Sequence, residues 1–273
     1  MLRNLGIWFL TLLLLGLSPV SGAQQSQSFL SPKEIQRIHK RANSGNAKEQ
    51  IALAVMYFYG NNVHRDYSLA KKWFELAAAQ NEPYAQTFLG AMYSSGLGVP
   101  RDNVIAKEWY ELAAQQGYTE AELRLGVLYY TGQGVPQNYT LAKEWYEKAA
   151  TKENSDAQFN LGVLYYEGKG ANQDYQQAKE WYEHAAARQH PHALFNLGML
   201  YYRGEGVRQD YSIAKEWFEQ AAHLNNATAQ LYLGLLYYDG NGTAQDRPLA
   251  KSWFGRACDN GIQRGCDYYK QLN

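Results

Sequence analysis

Residues 121–150 read AELRLGVLYYTGQGVPQNYTLAKEWYEKAA, and this stretch decides the fold because the chain repeats it. Its Leu-Gly, Ala-Lys and Trp each return with a period of 36 residues. Apart from Trp8, the tryptophans of the 273-residue chain are Trp73, Trp109, Trp145, Trp181, Trp217 and Trp253. A spacing kept this long is the signature of a repeat protein, in which each repeat buries its apolar face against the next.

The first half of the stretch predicts an α-helix, which we name helix A. In the preceding repeat, a turn of 100° per residue places Ala85, Leu89, Met92 and Tyr93 on one side. This side keeps the same residue types from repeat to repeat, so it is predicted to be core. Helix A meets Gly-x-Gly, where glycine can adopt the left-handed conformation that ends a helix. A phosphate-binding loop is the competing interpretation, and it lacks the strand that should precede it.

The second half predicts another helix, helix B. An acid or amide, such as Asp102, stands where this helix must begin and is a good N-cap. Ala106, Trp109, Tyr110 and Ala113 then fall on one face of helix B. Both aromatic residues of the Trp-(Tyr/Phe) pair are therefore predicted to fill the core between neighbouring helices.

These motifs resemble a known family. Leu-Gly-x2-Tyr followed by Ala-x3-(Tyr/Phe) is similar to the tetratricopeptide pattern, and with Tyr-Tyr-x-Gly-x-Gly-Val the chain resembles Sel1-like repeat proteins. The resemblance implies an all-α fold, a right-handed α/α superhelix (a Sel1-like solenoid) of about six 36-residue helix-turn-helix repeats with capping helices. The expected domains are a signal peptide (1–23), an N-terminal segment and capping helix (24–46), six repeats (47–262) and a C-terminal capping helix (263–273).

The first 23 residues differ in composition from the rest of the chain. Arg3 is followed by an uncharged apolar run of 13 residues, from Leu5 to Leu17, and the small residues at 21–23 end with Ala23. This run is too short to span a bilayer as a helix, whereas it suits a signal peptide cleaved after Ala23. An uncleaved membrane anchor is the alternative. Because no later segment is apolar enough to span, we expect no membrane insertion after cleavage.

The two cysteines, Cys258 and Cys266, lie close together near the C-terminal end. In an exported chain such a pair is expected to form a disulfide. A zinc site is the competing interpretation, and it lacks the further ligands that structural zinc needs. The same ending resembles the cysteine-rich Sel1-type proteins that some bacteria secrete, although those proteins carry a cysteine pair in each repeat.

Some helix A positions change identity between repeats, and by the same rotation they form one stripe opposite the core face. Helix A lines the concave surface of tetratricopeptide-like solenoids, so the resemblance implies that this stripe is a groove for a peptide or protein. The alternative is that these positions vary because they face solvent, where no packing contact restricts the residue type. The predicted groove residues are Phe88, Glu120, Arg124, Asp156, Asn160, Glu167, His192, Asn196, Arg203 and Tyr232.

The sequence predicts no catalytic residue, no metal ligand and no cofactor. The resemblance leaves one enzymatic alternative, because some cysteine-rich relatives have been linked to penicillin binding and β-lactamase activity. A serine enzyme of that class needs a Ser-x-x-Lys nucleophile motif, and we expect this chain to lack one. The chain also has no Gly-x-Ser-x-Gly. His190-Pro-His192 is the one histidine cluster, and two ligands without a third do not make a metal site.

Charge narrows the class of partner. The chain has 26 basic and 26 acidic residues, and cleavage after Ala23 would remove one base, Arg3. This balance argues against nucleic acid and against an anionic membrane surface. We therefore expect a monomeric, non-enzymatic scaffold or adaptor for a protein or peptide, in the periplasm or secreted. A structural organiser of the cell envelope is the alternative. Three Asn-x-Thr sequons, at Asn138, Asn226 and Asn241, leave a eukaryotic secretory compartment open.

Overall fold

The computed structural model describes residues 30–272, which form α-helices joined by turns. The predicted class, an all-α helical repeat protein with two helices per repeat and an added helix at each end, is confirmed. Fourteen helices lie within the described residues: α1 (Pro32–Asn43), α2 (Ala47–Tyr59), α3 (Tyr67–Ala78), α4 (Pro83–Ser95), α5 (Asn103–Gln115), α6 (Thr119–Thr131), α7 (Tyr139–Thr151), α8 (Ser155–Glu167), α9 (Tyr175–Ala186), α10 (Pro191–Arg203), α11 (Tyr211–His223), α12 (Ala227–Asp239), α13 (Arg247–Asp259) and α14 (Gln263–Gln271).

The described residues divide into two compact units. The N-terminal unit comprises residues 30–128 and Gly132–Pro136, and the C-terminal unit comprises Tyr129–Thr131 and residues 137–272. In the N-terminal unit helices α1 to α5 pack in chain order, each against its neighbour, and in the C-terminal unit helices α7 to α14 do the same. The even-numbered helices from α2 to α12 are the predicted A helices, and the odd-numbered helices from α3 to α13 are the B helices.

The helix boundaries follow the signals that the sequence predicts. Helix α8 ends at Gly168, which adopts the left-handed conformation with φ 68°. Asp174 then caps α9, because its carboxylate accepts from the backbone N–H of Gln176 at 2.9 Å and of Gln177 at 3.0 Å. The same two devices recur at Gly60, Gly96, Gly132, Gly204 and Gly240, and at Asp66, Asp102, Asn138, Asp210 and Asp246.

In several repeats a glycine of helix A packs directly against the buried Tyr or Phe ring of helix B. A Cβ on Gly162 would lie 2.5 Å from Cδ1 and Cε1 of Tyr182, so the α8–α9 contact leaves no room for a side chain. The same contact joins Gly90 to Tyr110 in the N-terminal unit. The glycine of the Leu-Gly motif is therefore required by close packing rather than by backbone conformation.

The ring that fills the core is the residue after each tryptophan. Tyr146 and Phe218 are 1% and 0% exposed, whereas Trp145 and Trp217 are only partly buried. The ammonium of Lys148 lies 3.8 Å from the centre of the Trp145 ring, which shows that this ring reaches the surface. The prediction that both aromatic residues are core is therefore correct for the second residue and wrong for Trp145 and Trp217. It is also correct for two tryptophans, Trp73 and Trp253, which are 8% and 9% exposed. The added 100° of rotation turns the tryptophan to the edge of the helix contact.

The two ends are closed by different devices. At α1, Ser31 and Glu34 form the predicted capping box, in which the Ser31 backbone N–H donates to Glu34 Oε2 at 2.7 Å. At the other end Cys258 and Cys266 are joined in a disulfide, with a Cα–Cα distance of 4.6 Å, which ties α13 to α14.

The cysteine pair occupies a junction that other repeats hold by a hydrogen bond. In the preceding repeat its two positions are Ala222 and Gln230, and Gln230 Nε2 donates to the Ala222 carbonyl at 3.2 Å. Gln50 makes the same bond to Ala42 at 3.1 Å. Helix B is thus tied to the following helix A at the same point in several repeats, and the last repeat makes this tie covalent.

Between residues 30 and 272, no helix is both long and apolar enough to cross a membrane. The predicted signal peptide, residues 1–23, lies outside the described residues.

Candidate functional site

The candidate site is the stripe of variable positions on α8, α10 and α12, which we call the helix A surface. Its four successive rows are Asp156, His192 and Thr228; Asn160, Asn196 and Tyr232; Val163, Met199 and Leu235; and Glu167, Arg203 and Asp239. All twelve residues belong to the C-terminal unit. The last row is exposed and the first row is partly exposed, whereas Met199 in the third row is buried.

The second row rests on the buried ring of the preceding helix B. Tyr232 lies over Phe218, with ring centres 5.6 Å apart. The amide of Asn196 hydrogen-bonds the hydroxyl of Tyr182, which is 1% exposed. A buried tyrosine hydroxyl needs a polar partner, and a phenylalanine does not. The residue type at each position of this row therefore depends on whether the ring beneath it is tyrosine or phenylalanine.

The same rule holds in the N-terminal unit and at the C-terminal end. Phe88 stacks on Phe74 at 4.8 Å, and Tyr268 of α14 stacks on Phe254 at 4.8 Å. Where the ring is Tyr110, the equivalent position carries Arg124, which interacts with the tyrosine electrostatically, while Ser94 hydrogen-bonds its hydroxyl. The variation in this row is therefore partly a packing requirement and not only a record of ligand contacts.

Phe88 does not lie on a surface, although the sequence places it in the groove. It is 3% exposed and packs between Phe74 and Phe58 of the N-terminal core. The rotation count places its Cβ correctly, but the long apolar side chain folds over the core rather than into solvent. Phe88 is a core residue in this structure.

The first row contains a hydrogen-bonded cluster. The backbone N–H of Ala193 donates to His190 Nδ1 at 3.1 Å, so His190 caps α10. Its Nε2 must then carry the proton, and it donates to Asp156 Oδ1 at 3.1 Å. The Phe159 ring stacks on His190 with centres 4.7 Å apart. Because both nitrogens of His190 are engaged, this ring positions Asp156 and is not free to act as a base.

His192 lies beside this cluster in a different electrostatic state. Asn226 Nδ2 approaches His192 Nδ1 at 3.4 Å, while Asn226 Oδ1 caps α12 by accepting from Ala229. Burial, with a smaller contribution from His190, lowers the pKa of His192 to about 4 from 6.5. His192 is therefore neutral at physiological pH. Asn226 is 8% exposed and engaged as a cap, so this sequon is closed to a glycan in the folded chain.

We expect the depressed pKa of His192 to destabilise the fold in mild acid. The unfolded chain binds a proton near pH 6.5 and the folded chain only near pH 4, so stability falls as pH drops through this window. The loss should be about 2 kcal/mol at pH 5. His192→Gln keeps an acceptor for Asn226 but does not titrate. Urea unfolding at pH 7 and pH 5 should show a smaller acid loss in this variant than in the native chain, and equal losses would contradict the assignment.

The last row connects successive A helices through tyrosine hydroxyls. Tyr130 donates to Glu167 Oε2 at 3.0 Å and accepts from Lys169 Nζ at 3.2 Å. One repeat later, Arg203 donates to the Tyr166 hydroxyl at 2.8 Å, and that hydroxyl donates to Glu205 at 2.8 Å. Burial, aided by this acceptor, raises the pKa of Tyr166 to about 12. Glu167 and Arg203 are therefore held in fixed positions although they are exposed.

Sequence reasoning missed the tyrosines of this network. Tyr130 and Tyr166 are the second members of the Tyr-Tyr pairs, and their recurrence reads equally well as core packing. The missed signal is that the residue 37 positions later is charged in both repeats, Glu167 after Tyr130 and Arg203 after Tyr166.

Glu120 and Arg124, the remaining predicted groove residues, lie in the N-terminal unit on α6. Their side chains form an ion pair, with Arg124 NH2 2.6 Å from Glu120 Oε1. The two residues are one turn apart on the same helix, a spacing that favours an ion pair.

The expectation that the chain lacks a Ser-x-x-Lys motif is wrong, because this spacing occurs at Ser68–Lys71 and Ser212–Lys215, as part of the helix B motif. Lys71 pairs with Glu75 at 2.5 Å, and this hydrogen bond raises the pKa of the lysine, the reverse of what a general base requires. Lys215 Nζ lies 3.5 Å from Glu219 Oε1. Residues 30–272 also hold no group of three or more side chains arranged to bind a metal ion.

Comparison with known proteins identifies the repeats. The family model described as the Sel1 repeat matches six consecutive segments, residues 50–82, 83–118, 119–154, 155–190, 191–226 and 227–262.

Two solved structures are similar over most of the chain. A protective antigen of uropathogenic Escherichia coli strains, which displays an SLR fold, is 34% identical over 87% of this chain and 51% of its own, with a TM-score of 0.75. This chain therefore spans about half of that protein. A Sel1 repeat protein of Oxalobacter formigenes is 30% identical over 82% of this chain and 87% of its own, with a TM-score of 0.73. The search of curated proteins gives no match.

Proposed function

Because this chain belongs to the Sel1 repeat family, we propose that it is a non-enzymatic scaffold that binds a protein or peptide on the helix A surface. Proteins of this family commonly serve as protein-interaction scaffolds. The fold itself hosts many functions, so the proposal has to rest on the surface of this chain.

The observation that carries the proposal is the fixed arrangement of charged and polar groups on the helix A surface. Glu167 and Arg203 are exposed, yet each is tied to a tyrosine hydroxyl of the preceding A helix. Asp156 is oriented by the buried His190. Side chains held in this way lose little further conformational freedom on binding, which favours recognition of a partner.

We also propose that the chain acts outside the cytoplasm, in the periplasm or after secretion. The disulfide between Cys258 and Cys266 supports this location, because such bonds persist in oxidising compartments. N-terminal sequencing of the exported protein should begin at residue 24, and a protein that retains Met1 would contradict the predicted cleavage.

The experiment needs the partner first and then a matched pair of variants. The partner is purified with the chain from its native compartment and identified. We expect Glu167→Ala combined with Arg203→Ala to weaken its affinity at least about tenfold, because both residues lie on the proposed surface. Glu180→Ala combined with Glu216→Ala changes two exposed residues of α9 and α11 and should leave affinity unchanged.

Glu167 and Arg203 are better test positions than Asn160 and Asn196. Removing Asn196 would also strip the buried Tyr182 hydroxyl of its partner, so lost binding could reflect lost stability. If the variant of Glu180 and Glu216 loses affinity while the variant of Glu167 and Arg203 retains it, the proposed surface is wrong. A stoichiometric complex with structural proteins of the envelope would favour the organiser role over an adaptor.

A further inference from the structure

We propose that the B helices α3 and α5 of the N-terminal unit form a self-association surface, on which a second copy of this chain docks. Among residues 30–272, the large apolar side chains that are exposed number seven, and four of them lie on these two helices. They are Leu69 and Leu76 on α3, and Val104 and Leu112 on α5, with exposed fractions of 36%, 42%, 52% and 44%. We call these four residues the apolar ridge.

The other repeats show that the fold does not require the apolar ridge. The position of Leu76 and Leu112 is three residues after the tryptophan, and later repeats fill it with Lys148, His184, Gln220 and Arg256. In the C-terminal unit these side chains shield the tryptophan: Lys148 lies 3.8 Å from the centre of the Trp145 ring, and Arg256 Cζ lies 4.6 Å from that of Trp253. A polar residue at this position is therefore compatible with the helix. Leucine at both N-terminal repeats leaves an apolar surface that solvent disfavours.

The two helices that carry the ridge belong to successive repeats of the N-terminal unit, and α4 packs against both. Trp109 of α5 packs against the core that contains Trp73 and Phe74 of α3. At their C-terminal ends, Gln116 Nε2 donates to Asn81 Oδ1 at 3.1 Å. Both contacts bring α5 close to α3.

Charge on the same surface identifies a second copy as the occupant. Lys72 on α3 and Glu108 on α5 are exposed and occupy equivalent positions, one before each tryptophan. Later repeats carry Glu144, Glu180, Glu216 and Ser252 at this position, so the lysine is peculiar to α3. A two-fold axis running between the helices would place α3 of one copy over α5 of the other. Leu76 would then meet Leu112 twice, and Lys72 would meet Glu108 twice, as an isologous interface requires.

A dimer formed in this way differs from the monomer that the sequence predicts. Its interface involves α3 and α5 and no residue of the helix A surface. This inference does not rest on the proposed function, because a dimer through the apolar ridge could form whether or not the chain binds another protein.

Sedimentation equilibrium of the exported chain between about 1 and 100 μM tests the proposal. We expect a concentration-dependent dimer. Leu76→Lys combined with Leu112→Lys, which copies the lysine at residue 148, should raise the dimer dissociation constant about 100-fold or more. Leu76→Gln with Leu112→Gln, which copies residue 220, serves as a second variant if the lysines disturb folding. Circular dichroism should show unchanged helix content in the variant that is used.

Charge reversal tests the pairing itself. Lys72→Glu should weaken the dimer about tenfold, and adding Glu108→Lys should restore it, because the interface then regains both opposite-charge pairs. A chain that stays monomeric at the highest concentration would overturn the proposal. So would a dimer that survives both leucine replacements, or a double charge reversal that fails to restore association.

Discussion

Tyr146→Ala is expected to destabilise the chain by about 3–5 kcal/mol, whereas Trp145→Ala next to it should cost distinctly less. Tyr146 is 1% exposed, so its removal opens a cavity that the rigid helix pair cannot close. Trp145 lies partly at the surface under Lys148, and solvent can occupy part of the space it leaves. Urea unfolding of the two variants, followed by circular dichroism, measures the difference.

Tyr146→Phe provides the control for the hydroxyl. Burial raises the pKa of Tyr146, so its hydroxyl stays protonated in the folded state. The packing of the ring should therefore contribute more to stability than the hydroxyl does. We expect the phenylalanine variant to retain most of the stability that the alanine variant loses. Equal losses for Trp145→Ala and Tyr146→Ala would mean that the tryptophan is the core residue and that the burial described above is wrong.

Gly198→Ala is expected to cost about 3 kcal/mol, a large effect for the addition of one methyl group. The new Cβ would lie 2.5 Å from Cδ1 and Cε1 of Phe218. Phe218 is 0% exposed and is flanked by Phe195 and Tyr232 at 5.6 Å each, so its ring has nowhere to move. The better helix propensity of alanine, worth about 1 kcal/mol, offsets only part of the clash.

Gly255→Ala is the matched control, because it is also a glycine within a helix that faces an aromatic ring. Its Cβ would lie 3.2 Å from Cε2 of Tyr269, and that ring is 39% exposed and can move outward. We expect this variant to be as stable as the native chain or slightly more stable. If Gly198→Ala behaves like Gly255→Ala in thermal unfolding, the recurring glycine has no packing role.

The fold is predictable from this sequence because the repeats act as their own alignment. The period of 36 residues defines each helix pair, and local chemistry defines the ends. Asp174 caps α9 and Gly168 ends α8 as expected, since both effects depend only on neighbouring backbone atoms.

The surface is harder to predict because rotation counts describe Cβ directions and not side chains. Phe88 and Asn196 occupy the same helix A position, yet the first is core and the second hydrogen-bonds a buried tyrosine. The deciding residue stands 14 positions earlier on another helix, Phe74 in one case and Tyr182 in the other. Helical periodicity does not reveal such a contact, because it depends on how two helices pack.

Footprinting of the complex by hydroxyl-radical oxidation tests the central claim most directly. The helix A surface carries the oxidisable side chains of His192 and Tyr232, and the B helices of the same unit carry Trp181 and Trp217, all partly exposed. We expect the bound partner to protect His192 and Tyr232 while both tryptophans oxidise at the rate of the free chain. Protection of Trp181 and Trp217, with His192 and Tyr232 unchanged, would show that the partner binds the B helices and would contradict the proposed site.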